Sequence, residues 1–273
     1  MAETGRFGII GFGKLGEAVA LGLLGSGVLA RERITASVRS AASAERARRR
    51  SGLEVLTDNR AVVERSDTVL LAVKPQVVPA VLAEIAPVLR AGQLLISACA
   101  SVSTAAIEKA LGGEPAVVRV MPNTPVLVGA GMSVLARGRF ASPEHLATAE
   151  RIFGAVGRTA VLDEQHLDAV TGLSGSGPAY IYLVIESLAE AGVKLGIPRE
   201  VSTLLAAQTV LGAARMVLEL GEHPALLKDV VTTPAGCTID GLLELEDGKL
   251  RVTLVKAVVK AAERARNLTK DRL

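Results

Sequence analysis

The chain has 273 residues, long for one hydrophobic core, and this length predicts two domains. Hydrophobic residues make up 49% and charged residues 22%, a balance typical of folded rather than disordered proteins. A net charge of +3 with 2% aromatic residues does not indicate a nucleic-acid partner. The densest basic cluster, at positions 46 to 50, is interpreted as a solvated helix face, with a contact to an anionic cofactor as the alternative.

Metal sites, disulfides and membrane spans are not expected. Cys99 and Cys237 lie too far apart in sequence to predict a disulfide framework or a thiolate metal site. His145, His166 and His223 show no metal-ligand spacing. The N-terminus lacks the basic and apolar regions of a signal peptide, and no uninterrupted apolar run approaches the ~18 residues that a membrane span needs. We therefore expect a cytoplasmic protein.

The first half of the chain alternates β-branched segments with helical ones. Strands are predicted over Arg6–Ile10, Ile34–Val38, Thr68–Val73, Leu94–Ala98 and Val117–Val120. Helices are predicted over Leu15–Gly25, Ala41–Arg50, Val77–Leu89 and Thr104–Leu111. This order indicates consecutive βαβ units and a parallel sheet covered on both faces. Two further strands, Met132–Leu135 and Thr159–Leu162, are expected at one edge of the sheet.

Strand signals stop after Asp163. Helices are predicted over Ala179–Lys194, Pro198–Leu220, Pro224–Thr232, Thr238–Glu246 and Lys249–Arg266, with Gly221 as a C-cap. The first of these helices is apolar around most of its circumference, so it must be buried on several sides. We expect this half to bury its apolar surface against a second copy of the chain.

A glycine-rich segment, Gly11-Phe12-Gly13-Lys14-Leu15-Gly16, follows the first strand and opens a helix. Such glycines permit a tight turn, a close approach to a pyrophosphate and close helix packing. A coincidental glycine-rich turn is the alternative. The sequence thus predicts an α/β protein: an N-terminal Rossmann-type doubly wound sheet over residues 1–163, then an all-helical dimerisation and substrate domain over residues 164–273.

The end of the second strand predicts which dinucleotide is bound. An NAD site usually has an acidic residue there, whereas this chain reads Ala36-Ser37-Val38-Arg39-Ser40. Hydroxyls and a guanidinium suit a 2′-phosphate, because charge-assisted hydrogen bonds hold that dianion. NADPH is therefore the expected cofactor, with NAD accepted at lower preference. The alternative is that Arg39 only lies over the adenine.

Four segments resemble motifs of the pyrroline-5-carboxylate reductase family: Ala72–Gln76, Met121–Pro125, Asp168–Tyr180 and Lys228–Thr238. They occur in the family's order, and the resemblance runs from the glycine-rich loop to about residue 264. It implies the reduction of the imino acid 1-pyrroline-5-carboxylate to L-proline with NADPH, the last step of proline biosynthesis. It also implies a homodimer, with a larger ring such as a decamer as a further expectation.

The resemblance implies site residues, each by its match to a family motif. Those lining the pyrophosphate would be Ile10, Gly11, Phe12, Gly13, Lys14 and Leu15. Those near the adenosine and its 2′-phosphate would be Ser37, Arg39 and Asn59. Those on the nicotinamide side would be Ala72, Val73, Lys74, Pro75, Ala98, Cys99 and Ala100. Those holding the substrate would be Thr233, Gly236, Cys237 and Thr238.

Four positions depart from the family's usual residues. Ala235 stands where glycine is usual, Ser101 where glycine is frequent, Val230 where a polar residue is often found, and Cys237 where a small residue or threonine is common. Val230 leaves a minor cofactor contact open. Cys237 leaves open that the substrate is a related cyclic imino acid.

Imine reduction needs little from the protein beyond orientation, since a protonated imine already has an electrophilic carbon. Thr238 is predicted to bind the ring nitrogen, with a plain helix N-cap as the alternative. Direct proton donation by Lys74 is a second possibility.

Two other functions are considered. A β-hydroxyacid dehydrogenase would carry a catalytic lysine in its long helix with an asparagine one turn later, but Lys194 is followed by Pro198 four residues on. A non-catalytic dinucleotide sensor would have no reason to keep the Thr233–Thr238 loop.

Overall fold

The computed structural model describes residues 5–234 and 236–270. Its strands are β1 (Phe7–Ile10), β2 (Ile34–Ser37), β3 (Glu54–Leu56), β4 (Thr68–Leu71), β5 (Leu94–Ser97), β6 (Ala116–Met121), β7 (Gly131–Arg137) and β8 (Gly157–Val161). Its helices are α1 (Lys14–Gly25), α2 (Ala41–Ser51), α3 (Asn59–Glu64), α4 (Val78–Ile85), α5 (Thr104–Leu111), α6 (Pro143–Gly154), α7 (Leu167–Val170), α8 (Gly177–Lys194), α9 (Arg199–Leu220), α10 (Pro224–Val230), α11 (Cys237–Asp247) and α12 (Leu250–Lys270).

The strands form one sheet in the order β3-β2-β1-β4-β5-β6-β7-β8. Neighbouring strands run parallel except β6 and β7, which are antiparallel. The order reverses between β1 and β4, where Phe7 pairs with Ile34 on one side and Thr68 on the other. Ligands of such sheets bind at the carboxyl ends of the strands at this reversal. The predicted doubly wound sheet and its edge strands are confirmed.

Both faces of the sheet are buried, as the near-continuous apolar strands predicted. Ile9 packs in a core cluster with Phe7, Leu23 and Phe153, whereas Ile10 packs in a second cluster with Ile85. Consecutive strand residues point to opposite faces, so the two isoleucines enter different cores. The helices therefore pack on both faces of the sheet and fix the positions of its strand ends.

The sequence pattern did not predict four elements of the structure, β3, α3, α6 and α7. β3 has three residues and α3 has six, so neither is long enough to show a periodic pattern. The start of α6 carries a recognisable signal, because Ser142 caps the helix, Pro143 opens it and His145 completes a reciprocal capping box. The predicted helix over Val77–Leu89 was too long: α4 ends at Ile85, since Pro87 cannot continue a helix.

By packing, the described chain divides into a first unit of residues 5–175 together with 260–270, and a second unit within residues 176–259. The expected boundary after Asp163 differs from this division. Leu167 and Val170 pack with Met121 of β6 and Val134 of β7, so the segment up to Gly175 belongs with the sheet.

The second unit buries little of its own apolar surface. Within its described residues, the buried ones are Ala189, Ser202 and Ala206. α8 and α9 approach closely at Gly192, where a Cβ would lie 2.7 Å from the Ser202 Oγ. Leu183, in contrast, is 63% exposed and Leu204 is 66% exposed. The predicted helices of this half are confirmed, and they leave large apolar side chains uncovered in a single chain.

By length and composition, α9 could also cross a membrane. The sequence analysis considered only uninterrupted apolar runs, and α9 is interrupted by polar residues such as Gln208 and Arg215. Helices buried in soluble assemblies have the same composition.

A buried ion pair holds the segment after β8 on the sheet. The Arg119 side chain is 5% exposed, and its Nη1 lies 3.1 Å from Glu164 Oε1. Glu164 also accepts hydrogen bonds from the Thr104 amide (2.8 Å) and hydroxyl (2.6 Å). The Nε and Nη2 atoms of Arg119 have no partner in the described part of the chain. Glu164 is therefore the anion on which this buried arginine depends.

We predict that Glu164→Ala lowers the free energy of unfolding by about 2–3 kcal/mol, because it leaves a buried charge uncompensated. Urea denaturation followed by circular dichroism measures the change. The matched control is Glu114→Ala at an exposed loop position, which should change stability by less than about 0.5 kcal/mol. Equal effects of the two substitutions would contradict this assignment.

Candidate active site

The glycine-rich loop is shaped by close backbone packing at the end of β1. Gly11 has a φ of +93°, and a Cβ there would lie 2.6 Å from the Ala72 carbonyl oxygen. A Cβ at Gly16 would lie 2.9 Å from the Gly11 carbonyl oxygen, so α1 packs directly on the turn. At Gly13 a Cβ would meet no atom within 4 Å. The first and third glycines are thus required by the fold, and the second faces open space.

The start of α1 presents backbone amides toward the open space beside Gly13. The Gly11 and Phe12 amides donate to the Ser37 carbonyl at 3.2 and 3.0 Å, and the Phe12 side chain is buried in the core. Gly13 caps α1 without a side-chain hydrogen bond. The next amides, of Lys14 and Leu15, have no carbonyl one turn earlier within the helix. Such amides and the helix dipole can bind a pyrophosphate.

At the end of β2, Ser37 and Arg39 lie in different environments, although both were expected near the adenosine and its 2′-phosphate. Ser37 is fully buried, and its hydroxyl donates to Asn59 Oδ1 at 2.7 Å. Asn59 in turn donates to Glu84 Oε2 at 2.8 Å, a carboxylate that sequence reasoning missed. Arg39 is exposed and has no carboxylate partner in the described part of the chain. Arg39 is therefore the group that can distinguish a phosphate from a hydroxyl.

The basic cluster on α2 is occupied by other contacts. Arg50 makes a bidentate pair with Glu17 at 2.9 and 2.8 Å, Arg49 pairs with Glu45 at 2.9 Å, and Arg48 donates to the Val55 carbonyl. Arg50 thus holds α1 and Arg48 holds β3, whereas the Arg49 pair lies within α2. The interpretation as a solvated helix face agrees with the exposure of these arginines.

Three strand ends meet beside the glycine-rich loop. The Ala72 amide donates to the Ile10 carbonyl at 2.8 Å, and the Ala98 amide donates to the Leu71 carbonyl at 2.9 Å. These bonds extend the ladder past β1, β4 and β5 and align the expected nicotinamide-side residues. Lys74 follows β4 with an exposed side chain, just before Pro75 opens a 3-10 turn.

Cys99 can contribute only its backbone to this site. Its side chain is 1% exposed, with Sγ 3.5 Å from the Leu71 carbonyl oxygen and 3.4 Å from that of Val73. Burial raises the pKa of the Cys99 thiol, although the hydrogen bonds with Val73 and Ser97 and the charge of Arg119 lower it. The thiol is thus a small packing group.

Beyond Ala100, the Ser101 backbone adopts a φ of +60°, a left-handed conformation that favours glycine. This geometry accounts for the glycine that is frequent at this position in the family.

An apolar pocket of about 240 Å³ extends from the glycine-rich loop along this edge of the sheet. Its lining residues are Lys14, Leu15, Ala98, Met121, Pro122, Asn123, Thr124, Val126 and Leu127. The sequence analysis identified the Met121–Pro125 motif but gave it no role. The structure shows that this motif is one wall of the pocket, which suits an uncharged ring.

The expected substrate residues form a loop that opens α11 in the second unit. The Gly236 amide donates to the Thr233 carbonyl at 3.0 Å, and a Cβ on Gly236 would lie 2.4 Å from Thr233 Oγ1. Gly236 is the N-cap of α11, so the helix starts at Cys237 and not at Thr238 as predicted. Ala235 lies outside the described residues.

Thr238 is not the helix cap, which removes the alternative role considered for it. Its side chain is exposed in the first turn of α11, and its hydroxyl has no partner in the described chain. Cys237 is also exposed. The N-terminus of α11 thus offers uncapped amides and one hydroxyl, groups that can bind a carboxylate and a ring nitrogen.

The fold and the glycine-rich loop place this protein among the dinucleotide-binding oxidoreductases. A family model described as "NADP oxidoreductase coenzyme F420-dependent" matches residues 6–101, and one described as "Pyrroline-5-carboxylate reductase dimerisation" matches residues 164–268. The second match covers the segment from Glu164, which packs on the sheet, as well as the helical unit.

The chain is 46% identical to a pyrroline-5-carboxylate reductase of Arabidopsis thaliana, over 99% of this chain and 98% of the relative. It is 44% identical to one of Methanosarcina acetivorans, over 98% of this chain and 99% of the relative. The solved structure of such a reductase from Coxiella burnetii superposes with a TM-score of 0.91 at 37% identity, covering 97% and 98% of the two chains.

A Plasmodium falciparum pyrroline carboxylate reductase with NADP bound has a TM-score of 0.87 at 33% identity, covering 98% of this chain and 99% of that one. The chain therefore belongs to the pyrroline-5-carboxylate reductase family, and the predicted resemblance is confirmed. A prephenate dehydrogenase from Aquifex aeolicus, at 14% identity and a TM-score of 0.56, shares the fold alone.

We predict that Arg39→Ala weakens the binding of NADPH by roughly 1.5–3 kcal/mol, or about tenfold to a hundredfold, because one charged hydrogen-bond partner is lost. Binding of NADH should stay nearly unchanged, since it has no 2′-phosphate. Titration by cofactor fluorescence measures both affinities. Arg46→Ala, in the neighbouring basic cluster, is the matched control and should leave both unchanged. Equal losses for the two cofactors in Arg39→Ala would contradict the assignment.

Proposed function

We propose that this protein reduces 1-pyrroline-5-carboxylate to L-proline with NADPH, in the cytoplasm, as the last step of proline biosynthesis. The observation that carries the proposal is the uncapped N-terminus of α11, where the Thr238 hydroxyl is exposed and has no partner in the described chain. In a member of this family, that helix start is the group of donors best suited to a small anionic substrate. NADP binding to the Plasmodium falciparum relative supports the choice of cofactor.

Separate groups of residues are assigned to the cofactor and to the substrate. NADPH, when bound, supplies a hydride to the imine carbon. The amides of the glycine-rich loop and the Arg39 guanidinium hold its phosphates. The first amides of α11 hold the substrate carboxylate, and the helix dipole stabilises that negative charge. The Thr238 hydroxyl hydrogen-bonds the ring nitrogen and fixes the orientation of the C=N bond.

In this scheme the protein does not need to donate a proton. The ring nitrogen binds already protonated, and the hydride neutralises the iminium to give the amine. The chain's contribution is then orientation, which in well-aligned systems accounts for a large part of a rate enhancement. The exposed ammonium of Lys74, three residues after β4, is the alternative proton donor.

The assay is NADPH oxidation in the presence of 1-pyrroline-5-carboxylate, with the six-membered homologue of the imine tested in parallel. The wild type should turn over the five-membered imine more efficiently. Preference for the larger ring would favour the related imino-acid reductase, and NADPH binding without turnover would favour a dinucleotide sensor. Either result would contradict the proposed function.

Thr238→Ala should lower kcat about tenfold or more, because the hydrogen bond that orients the imine is lost. Affinity for NADPH should remain within about twofold, since the substrate loop does not bind the phosphates. Thr238→Ser keeps the hydroxyl and should retain most of the turnover. Unchanged turnover in Thr238→Ala would exclude the residue from the reaction.

We propose that the protein acts as a homodimer formed through its helical unit, with assembly into a larger ring such as a decamer as a further expectation. The dimerisation model that matches residues 164–268 supports this proposal. Large side chains of α8 and α9 are exposed in the single chain, including Leu183, Leu188, Leu204 and Leu205. Covering them requires an interface of roughly 2,000 Å² or more, in the range of obligate dimers.

We predict that Leu183→Asp abolishes the dimer and gives inactive monomer or aggregate, because a charge would be buried unpaired at the interface. Leu183 is 63% exposed in one chain, so the substitution disturbs little packing within the protomer. Analytical ultracentrifugation measures the mass, and it also reports any larger ring. Glu186→Asp, at an exposed acidic position of the same helix, is the control and should remain dimeric. A fully active wild-type monomer at assay concentration would refute the proposal.

A further inference from the structure

Two motifs of the first unit have no role in the function described so far: the Met121–Pro125 segment after β6 and the segment around Ser174. One side chain joins them. Asn123 donates from Nδ2 to the Ser174 carbonyl at 3.1 Å, and its Oδ1 accepts from the Met132 amide at 2.8 Å. Asn123 thus connects the segment after β6 with the start of β7 and with a π-helical turn, Thr171–Gly175.

These two bonds fix the orientation of the Asn123 amide. Its oxygen faces an N–H donor and its nitrogen faces a carbonyl, so the reversed orientation would lose both bonds. Asn123 precedes a 3-10 turn, Thr124–Val128, where asparagine commonly caps with its own side chain. No such cap bond forms here. The Asn123 side chain instead forms hydrogen bonds with the more distant residues Met132 and Ser174.

Asn123 is also part of the pocket wall. The pocket starts at Lys14 and Leu15 of the glycine-rich loop and continues past Ala98 to the segment that contains Asn123. In the sheet, β2 and Arg39 lie on one side of β1, whereas β4, β5 and β6 lie on the other. A dinucleotide with its 2′-phosphate at Arg39 therefore directs its nicotinamide half toward β5 and β6, into this pocket.

The π-helical turn that accepts the hydrogen bond from Asn123 is itself held by further hydrogen bonds. Ser174 Oγ donates to the Val170 carbonyl at 3.2 Å, and Thr171 Oγ1 donates to the Leu167 carbonyl at 2.8 Å. Leu167 and Val170 are buried against Met121 and Val134. The Ser174 carbonyl is thus a fixed acceptor rather than part of a loose loop. π-helical turns of this kind occur frequently at functional sites.

We propose that Asn123 is a positioning residue for hydride transfer, which fixes the pocket wall against the nicotinamide half of the cofactor. This inference rests on the proposed function. It assigns to Asn123 no contact with the reacting atoms: the residue acts through the wall Met121–Leu127. If the wall shifts, the hydride donor shifts with it, and a misplacement of about 1 Å can cost two orders of magnitude in rate.

The test uses Asn123→Asp in the full-length enzyme. The new carboxylate can still accept from the Met132 amide, but it repels the Ser174 carbonyl, so the wall loses one of its two attachments. Affinity is measured for NADPH and for adenosine 2′,5′-bisphosphate, a probe that lacks the nicotinamide half. The matched control is Asn267→Asp, the same chemical change at an exposed position of α12.

We expect kcat to fall about tenfold or more in Asn123→Asp, whereas affinity for adenosine 2′,5′-bisphosphate stays within about twofold of the wild-type value. NADPH should bind severalfold more weakly, because its nicotinamide half contacts the altered wall. The bisphosphate lacks that half. Asn267→Asp should match the wild type in all three measurements. Retained binding of the bisphosphate shows that the variant is folded.

Equal weakening of both ligands would overturn the inference, because it would show a general structural role. Unchanged kcat with unchanged NADPH affinity would overturn it as well. Failure of the wild type to reduce the imine is a failure of the proposed function instead. In that case the ratio of the NADPH and bisphosphate affinities still tests Asn123 on its own.

Discussion

The close approach of Gly11 to the backbone of Ala72 is the contact on which the cofactor site depends. β1 and β4 are neighbours in the sheet, so their ends arrive together where the strand order reverses. A side chain at position 11 would collide with the Ala72 carbonyl and displace the loop from β4. Gly16 packs on the carbonyl of that same turn, so α1 would move too. Backbone packing, rather than side-chain chemistry, therefore fixes the amides that are proposed to bind phosphate.

The strands of the sheet could be predicted because they are buried on both faces and carry unbroken apolar runs. The alternation of strands and helices predicted the parallel direction of the strands up to β6, whereas the apolar runs of the edge strands do not indicate a direction. The antiparallel pairing of β6 and β7 follows from the short connection between Met121 and Gly131. A parallel crossover needs a dozen or more residues, usually with a helix. That connection holds only a 3-10 turn, so its length was the available signal.

Motifs predicted candidate site residues but did not give the directions of their side chains. Ser37 and Arg39 lie two residues apart, yet Ser37 belongs to a buried strand whereas Arg39 follows it on the surface. A buried hydroxyl needs a partner, and Asn59 supplies it. Cys99 is similarly turned inward beside an otherwise plausible cofactor segment. In both cases tertiary packing decides the role, and the linear motif contains no information on that packing.

The helical unit shows how a low aromatic content limits what one chain can stabilise alone. α8 and α9 approach at Gly192 and Ser202, and the residues buried near them are small, such as Ala189 and Ala206. Small residues permit close packing, but they remove little apolar area from water. The leucines that could supply that area point outward. Burial of those leucines in the proposed dimer would stabilise the unit that carries α11, so the geometry of the proposed substrate loop would then depend on association of two chains.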